Sequence, residues 1–239
     1  MSNFQHASFS HAGDAGDIIY SLPVVRFMGG GDFYLQAADF TRVKMTPERV
    51  GMFKRLLEAQ DYIGDVKFHY GRATSVDLNF FRTRMTEHLW DETLVEMHCR
   101  AFGVPESELE RPWINAEPRR EADVIINLTP RYRNREFPWK EVYLKYGSRA
   151  AFVGSKDEHA QFVTHYGPIP HCDTKDLMDV AMVIKGSKLF IGNQSCPLAI
   201  AHAMYHPTFC EYSRNACNGM VRKINCTGTA GKNITLPEI

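Results

Sequence analysis

The sequence has no excess of charge of either sign and none of the long apolar runs that mark membrane spans. Its 239 residues contain 28 lysines and arginines against 28 aspartates and glutamates, so its overall charge favours neither nucleic acid nor an anionic membrane as a partner. No apolar stretch approaches the roughly 18 residues of a transmembrane helix. The first residues lack the basic and apolar regions of a signal peptide. We therefore expect a cytoplasmic protein without a transmembrane segment.

Closely spaced pairs of cysteines are also absent. The six cysteines include no CxxC motif, and a cytoplasmic chain is expected to keep them as thiols. The nearest approach to a metal-binding cluster is His171-Cys172 with the widely separated Cys210, Cys217 and Cys226. Structural zinc sites usually use close ligand pairs, so this spacing disfavours one. We therefore predict that the chain has no metal site.

The stretch 188–211 has the clearest local pattern in the chain. Its apolar residues 189–191 predict a short buried strand. The polar residues 193–195 suit the cap of a helix whose first turn contains Pro197. Residues 208–210 predict a second strand, so the whole stretch predicts a βαβ crossover.

This crossover predicts a phosphate site at one edge of a parallel sheet. The helix start at Asn193, Gln194 and Ser195 would direct backbone N–H groups to the carboxyl edge, where they attract phosphate. Glu211 ends the second strand, where it could accept hydrogen bonds from ribose hydroxyls. The alternative is that Ser195 only caps the helix and that Glu211 is a solvated strand end.

In the first half of the chain, a loop with two glycines follows a predicted strand, residues 4–10. Gly13, Asp14 and Gly16 allow a tight turn, and Asp17 would begin a helix. The loop has neither the GxGxxG spacing nor the phosphate-loop pattern, and a carboxylate on the helix start would repel phosphate. We interpret Asp17 as a group that acts on a hydroxyl, as general base or as binder. The alternative is that it only complements the helix dipole.

The sequence also predicts where three helices begin. Pro23 indicates either a kink in the first helix or a late start capped by Ser21. Residues 86–102 predict a helix capped by Thr86, and Thr174 is the predicted cap of another helix.

In the second half of the chain, alternating strands and helices predict a doubly wound parallel sheet. The apolar run 122–128 predicts a buried strand, and Arg131, Arg133 and Arg135 follow its carboxyl end in what we call the arginine loop. Guanidinium groups that share an edge with the Ser195 helix start favour a diphosphate site. The alternatives are a solvated surface and contact with a nucleic-acid backbone.

A polar, proline-rich stretch, residues 105–123, is the predicted linker between two domains. We place the domains at 1–117 and 118–239.

Two motifs resemble those of a known family. Residues 16–23 (GDIIYSLP) resemble the opening Gly-Asp-(aliphatic)2-x-x-Leu-Pro of the bacterial heptosyltransferases, which are family 9 glycosyltransferases of GT-B fold. Residues 191–201 (IGNQSCPLAIA) resemble the late motif G-N-D-S-G-P-x-H-x-A of that family. The order and the separation of the two motifs also agree.

The resemblance implies two Rossmann-like domains of minimal size, with the acceptor bound by the first and the sugar nucleotide by the second. It implies that Asp17 is the base, and that Gly13, Asp14 and Gly16 form a loop on the acceptor side. The Ser195 helix start, and more loosely the arginine loop, would hold the diphosphate. No metal and no cofactor would be required, and the anomeric centre would be inverted.

Two further residues would border the base in the predicted nucleotide site. Phe152 and Gly154 would border the base, while Glu211 would hold the ribose.

We therefore predict a metal-independent glycosyltransferase that moves a sugar from a nucleoside-diphosphate donor to an acceptor hydroxyl. The sequence departs from the late motif at Gln194, Cys196 and Ala199. These departures motivate an alternative, a non-catalytic nucleotide- or sugar-binding protein on the same scaffold. A modifier of nucleic-acid bases is a third, less favoured alternative.

Overall fold

The chain folds into two compact units, Met1–Asn115 and Ala116–Ile239. The computed structural model describes residues 7–87, 92–213, 226–229 and 235–239. Each unit contains one parallel β-sheet with helices, so the predicted α/β class is confirmed. Within the described ranges, no helix is both long and apolar enough to cross a membrane.

The first unit is built on four parallel strands. These are β1 (Ala7–His11), β2 (Gly31–Leu35), β3 (Ile63–Phe68) and β4 (Val76–Asp77), in the sheet order β3-β2-β1-β4. Its α-helices are α1 (Ala15–Phe27), α2 (Pro47–Glu58) and α3 (Leu94–Ala101), and its 3-10 helices are Leu78–Glu87 and Glu106–Glu110. Because the strands are parallel, the loops that follow them meet at one carboxyl edge.

The second unit is built on five parallel strands. These are β5 (Val124–Asn127), β6 (Ala150–Phe152), β7 (Leu189–Asn193), β8 (Thr208–Glu211) and β9 (Cys226–Thr229), in the order β6-β5-β7-β8-β9. Its α-helices are α4 (Trp139–Tyr146), α5 (Lys156–Tyr166), α6 (Leu177–Lys185) and α7 (Cys196–Ala203), and Gly147–Arg149 is a 3-10 helix.

The crossover predicted over 188–211 is confirmed as β7, α7 and β8. The two strands are parallel neighbours, and β7 is buried along its whole length. Helix α7 is buried from Leu198 onward, as expected for an apolar helix on a sheet. Asn193, Ser195 and Glu211 consequently lie at the same edge of the second sheet.

Helix α1 continues through Pro23 because a distant side chain replaces the missing hydrogen bond. The helix begins at Ala15, before the predicted start at Asp17 and well before Ser21. A proline lacks the N–H that would donate to the carbonyl four residues earlier, here that of Ile19. The indole N–H of Trp113 donates to this carbonyl at 3.0 Å.

The other two predicted caps are wrong. Helix α3 begins after Thr93, which forms a reciprocal capping box with Glu96, and no continuous helix runs from Thr86 through the described residues. Asp176, not Thr174, caps α6. A carboxylate at that position complements the helix dipole, which a threonine hydroxyl does less strongly.

Replacing Trp113 by phenylalanine should destabilise the first unit to a degree that depends on Pro23. The buried Ile19 carbonyl loses its donor, so we expect the free energy of unfolding to fall by about 1–3 kcal/mol. In a Pro23→Ala background, the restored N–H of residue 23 donates to this carbonyl. Trp113→Phe should then lower the free energy of unfolding by about 1 kcal/mol less than it does with Pro23 present. Urea unfolding of the four proteins measures the coupling. Equal costs in both backgrounds would mean that the indole acts by packing alone.

Candidate functional site

Asn127 connects three elements at the carboxyl edge of the second sheet. Its Nδ2 donates to the Val153 carbonyl at 2.8 Å, and its Oδ1 accepts from Ser195 Oγ at 2.8 Å. Ser195 occupies the predicted N-cap position of α7. Its hydroxyl, however, bonds Asn127 and does not cap the helix. The Ser195 side chain therefore does not block the first N–H groups of α7, to which an anion could bind.

Asn193 and Gln194 hold loops at this edge. The Asn193 side chain accepts from the Thr129 backbone N–H at 3.0 Å and donates to the Arg131 carbonyl at 2.5 Å. Gln194 Oε1 accepts from the Ser213 N–H at 3.0 Å. Both side chains are buried. They fix the course of the loops, which differs from the direct phosphate contact that we predicted for them.

Glu211 is a completely buried carboxylate and not a solvated strand end. It accepts hydrogen bonds from Arg133 Nε at 3.1 and 3.2 Å, from Trp139 Nε1 at 2.7 Å, and from the Asn134 backbone N–H. Its side chain is 0% exposed, whereas that of Arg133 is 35% exposed. The predicted ribose contact is therefore wrong for this geometry, because both carboxylate oxygens are used by the arginine loop and α4.

The three arginines of the arginine loop have different surroundings. Burial lowers the pKa of Arg133, but Glu211 and Tyr166 raise it more, so that the guanidinium is firmly cationic. Arg131 lies over the ring of Tyr132, with its guanidinium carbon 5.0 Å from the ring centroid. Arg135 is exposed. Arg131 and Arg135 are better placed than Arg133 to meet a ligand, because Arg133 is committed to Glu211.

A cavity of about 280 Å³ lies between the loop after β5 and helix α5. Its polar lining includes Thr129, Arg133 and Glu158. Gly154 has φ +150°, and a Cβ there would lie 2.9 Å from Glu158 Oε2 and 3.1 Å from Asn127 Nδ2. The glycine is thus required for the close approach of these groups. Phe152, which we predicted to border a nucleotide base, is wrongly assigned, because it is fully buried in the hydrophobic core.

In the first unit, Asp17 forms an ion pair with Arg82, a residue that the sequence pattern did not indicate. Arg82 Nη2 lies 2.7 Å from Asp17 Oδ2 and also donates to the Ala12 carbonyl at 3.2 Å. The guanidinium carbon lies 4.5 Å from the ring centroid of Phe40 and 4.7 Å from that of Phe81. The two paired side chains remain 20% and 27% exposed. Asp17 is thus held in place yet open to solvent.

The glycine loop permits this contact. A Cβ at Gly13 would lie 3.0 Å from Arg82 Nη2 and 2.7 Å from His11 Cε1. Asp14 precedes α1, and its Oδ1 accepts from the Arg42 backbone N–H at 3.3 Å. Gly16 lies in the first turn of α1, beyond the loop in which we predicted it. The signal that could have identified Arg82 is its place in the 3-10 helix Leu78–Glu87, which directly follows the short strand β4 at the same edge.

Two buried histidines lie near the Asp17–Arg82 pair. The ring centroids of His11 and His98 are 5.4 Å apart, and that of Phe81 is 3.7 Å from that of His98. Burial, with a smaller effect of Arg82, lowers the pKa of His11 to about 3, and burial also lowers the pKa of His98 well below its usual value. Both rings are therefore neutral near pH 7, which leaves Arg82 as the cation beside Asp17.

Two cysteines of the second unit are neutral thiols. Burial raises the pKa of Cys196 to about 12 and that of Cys172 to about 11, so neither is a thiolate near pH 7. Among the described residues, no group of three or more His, Cys, Asp or Glu side chains is arranged to hold a metal ion. Cys217 and the side chain of Cys226 lie outside the described residues.

The fold and the site define an α/β protein whose charged candidate groups lie at the carboxyl edges of two parallel sheets. Solved glycosyltransferases share this fold. A family 9 glycosyl transferase from Veillonella parvula DSM 2008 superposes with a TM-score of 0.62 and 11% identity, over 95% of this chain and 87% of that chain. E. coli heptosyltransferase WaaC, solved with ADP-2-deoxy-2-fluoro heptose, superposes with a TM-score of 0.58 and 11% identity, over 93% of this chain and 92% of that chain.

A third structure with this fold contains a metal. The iron-containing dodecameric glycosyltransferase TibC from enterotoxigenic E. coli H10407 gives a TM-score of 0.58 and 12% identity, over 93% of this chain and 62% of that chain. No family model matches the sequence, and no curated protein is significantly similar to it. The predicted resemblance to the heptosyltransferases is thus confirmed for the fold.

Removing the buried charge of Glu211 should destabilise the second unit. Glu211→Gln keeps the shape of the side chain but leaves Arg133 without its counter-charge and places an amide N–H₂ against N–H donors. We expect a loss of about 3 kcal/mol in the free energy of unfolding, measured in urea. Glu141→Gln on the exposed face of α4 is the control and should change it by less than about 0.5 kcal/mol. A loss under about 1 kcal/mol at Glu211 would contradict the assigned role.

The buried histidines should make the first unit sensitive to acid. The pKa of His11 is lowered from 6.5 to about 3, so the unfolded chain binds more protons between these values. The stabilising effect of the neutral ring is fully present above pH 6.5 and is lost as the pH falls toward 3, by about 1.4 kcal/mol per pH unit. His11→Gln should reduce this slope between pH 6 and 4 and leave it unchanged above pH 7. Urea unfolding across pH tests this, and identical slopes for the two proteins would refute it.

Proposed function

We propose that this chain is a metal-independent glycosyltransferase that moves a sugar from a nucleoside diphosphate to an acceptor hydroxyl. The observation that carries the proposal is the Asp17–Arg82 pair, in which Arg82 Nη2 lies 2.7 Å from Asp17 Oδ2. It holds a partly exposed carboxylate at the edge of a sheet, in a fold shared with family 9 glycosyltransferases. The acceptor would be bound by residues 1–117 and the donor by residues 118–239.

The donor site is assembled from groups at the edge of the second sheet. The start of α7 after Ser195 supplies backbone N–H groups, and Arg131 and Arg135 supply positive charge for a diphosphate. Arg133 positions the loop through its ion pair with Glu211. The cavity between the loop after β5 and α5 has both apolar and polar lining residues, a combination that suits a nucleoside. WaaC was solved with an ADP-linked sugar, which makes ADP the first nucleotide to test.

In the transfer step Asp17 accepts the proton of the acceptor hydroxyl as its oxygen attacks the anomeric carbon. The new C–O bond forms while the bond from that carbon to the diphosphate oxygen breaks, and the diphosphate leaves with the electron pair. The guanidinium groups and the α7 start stabilise the negative charge that develops on the diphosphate. Attack from the face opposite the leaving group inverts the anomeric centre.

Asp17→Asn should lower the transfer rate by about 10² to 10⁴ fold, because an amide cannot accept the proton. Donor binding should be unchanged, since Asp17 belongs to the first unit and the donor site to the second. The measurement is sugar transfer from the donor that binding assays identify, with and without EDTA. Transfer by the variant at the wild-type rate would exclude Asp17 as the base. Loss of transfer in EDTA would exclude metal independence.

One nucleoside diphosphate among ADP, UDP, GDP and CDP should raise the melting temperature of the wild type. A ligand at about 100 times its dissociation constant stabilises the folded state by about 2.7 kcal/mol. Ser195→Asp should abolish the shift by repelling the diphosphate. Ser148→Asp, which adds the same charge just before the amino end of β6, should not. Binding without turnover of any sugar nucleotide would instead support a non-catalytic binding protein, to which the departures at Gln194, Cys196 and Ala199 also point.

A further inference from the structure

Arg82 is anchored by groups other than Asp17. Its guanidinium carbon lies 4.5 Å from the ring centroid of Phe40 and 4.7 Å from that of Phe81, and its Nη2 donates to the Ala12 carbonyl at 3.2 Å. Aromatic rings attract a guanidinium that lies over them and stack on its planar group. We call the two rings and the carbonyl the Arg82 site. They hold the guanidinium whether or not Asp17 is charged.

Phe40 belongs to a loop that is bonded to the residues leading into α1. It is 59% exposed and lies between β2 and α2. In the same loop the Gln36 N–H donates to the His11 carbonyl at 3.0 Å, and the Arg42 N–H donates to Asp14 Oδ1 at 3.3 Å. These two bonds keep the exposed ring over the guanidinium.

Several buried polar atoms near the ion pair have no hydrogen-bond partner. Among the described residues, Arg82 Nε is such an atom, and so are both ring nitrogens of His11 and of His98. Buried donors without an acceptor lower the stability of the fold. Natural proteins retain such unfavourable groups mainly at functional sites. The cluster therefore indicates that Arg82 serves the chemistry of the site rather than stability.

We propose that Arg82 is a positioning residue that keeps Asp17 ionised and oriented to accept a proton, and that Phe40 and Phe81 hold Arg82 for this role. When Asp17 accepts the proton, the ion pair is lost, but the contacts of the Arg82 site remain. The cation then favours the return of the proton to solvent, which restores the base. The support of a base rests on the proposed transferase function, whereas the effect of Arg82 on the charge of Asp17 does not.

The other titratable and charged side chains at this edge do not replace Arg82. His11 and His98 are neutral near pH 7, because burial lowers the pKa of both rings. The carboxylates that precede α1 and end β4 have the same charge as Asp17, and the arginine of the loop between β2 and α2 is exposed. These three residues are Asp14, Asp77 and Arg42.

Arg82→Ala should lower kcat by about 10- to 100-fold at an unchanged acceptor KM, because one charge-assisted hydrogen bond to the base is lost. The measurement is sugar transfer from the donor that binding assays identify. Free guanidinium at millimolar concentration should restore part of kcat in this variant, since the Arg82 site suits that cation, whereas sodium should not. A wild-type kcat, an effect on KM alone, or the same response to both cations would overturn the inference.

The Phe40 ring provides a matched comparison. In the Arg82→Ala background, Phe40→Tyr keeps an aromatic ring and should retain the guanidinium effect, whereas Phe40→Ala should weaken it. Equal effects would overturn the role of Phe40. Arg49→Ala removes an exposed cation of α2 and should keep the wild-type kcat. If Arg82→Ala does not fold, Arg82→Lys, which loses the planar group, should show a kcat below that of the wild type at an unchanged KM.

NMR of the Asp17 carboxyl carbon across pH tests the inference without any transfer, with the signal assigned by Asp17→Asn. Arg82→Ala should raise the pKa of this carboxyl, because a nearby cation favours the ionised form. Free guanidinium should lower it again. Identical titrations in wild type and variant would overturn the inference. The expected titrations without transfer by the wild type would reject the transferase function and sustain the effect of Arg82 on Asp17.

Discussion

The second unit depends on one buried charge, the carboxylate of Glu211. A carboxylate at the end of a central strand is unfavourable in the interior unless donors surround it. Arg133, the Asn134 backbone and Trp139 supply those donors. The arginine loop must therefore fold back over β8, and α4 must present Trp139 to the same point. The shape of the carboxyl edge follows from the need to neutralise this single group.

The first unit also pairs a carboxylate with an arginine, but the pair has a different environment. Asp17 and Arg82 also form an ion pair at a carboxyl edge, but both side chains remain partly exposed, whereas Glu211 is 0% exposed. An exposed carboxylate can still exchange a proton with a ligand, and a fully enclosed one whose oxygens are both bonded cannot do so readily. Their difference in burial thus separates the proposed catalytic carboxylate from the structural one.

Several polar residues at these edges form hydrogen bonds to neighbouring parts of the protein instead of pointing into open space. Asn127, Asn193 and Gln194 connect loops, and the Ser195 hydroxyl bonds Asn127 instead of capping α7. Beside α2, the Tyr34 hydroxyl accepts a hydrogen bond from Arg72 and orients it in a similar way. Residues that a sequence pattern predicts as ligand contacts can thus be the ones that hold neighbouring loops in place.

The sequence alone determined the elements whose cause is local. The apolar run 189–191 and the helix start at residues 193–197 defined the β7–α7–β8 crossover, and the alternation of strands and helices defined the α/β class. The tertiary structure decided whatever depends on a partner distant in the chain. Pro23 stays inside α1 because Trp113 bonds the Ile19 carbonyl from 94 positions away, and Asp17 is paired with Arg82 across 65 positions. Periodicity carries no information about such contacts, because only the packed sheet brings these side chains together.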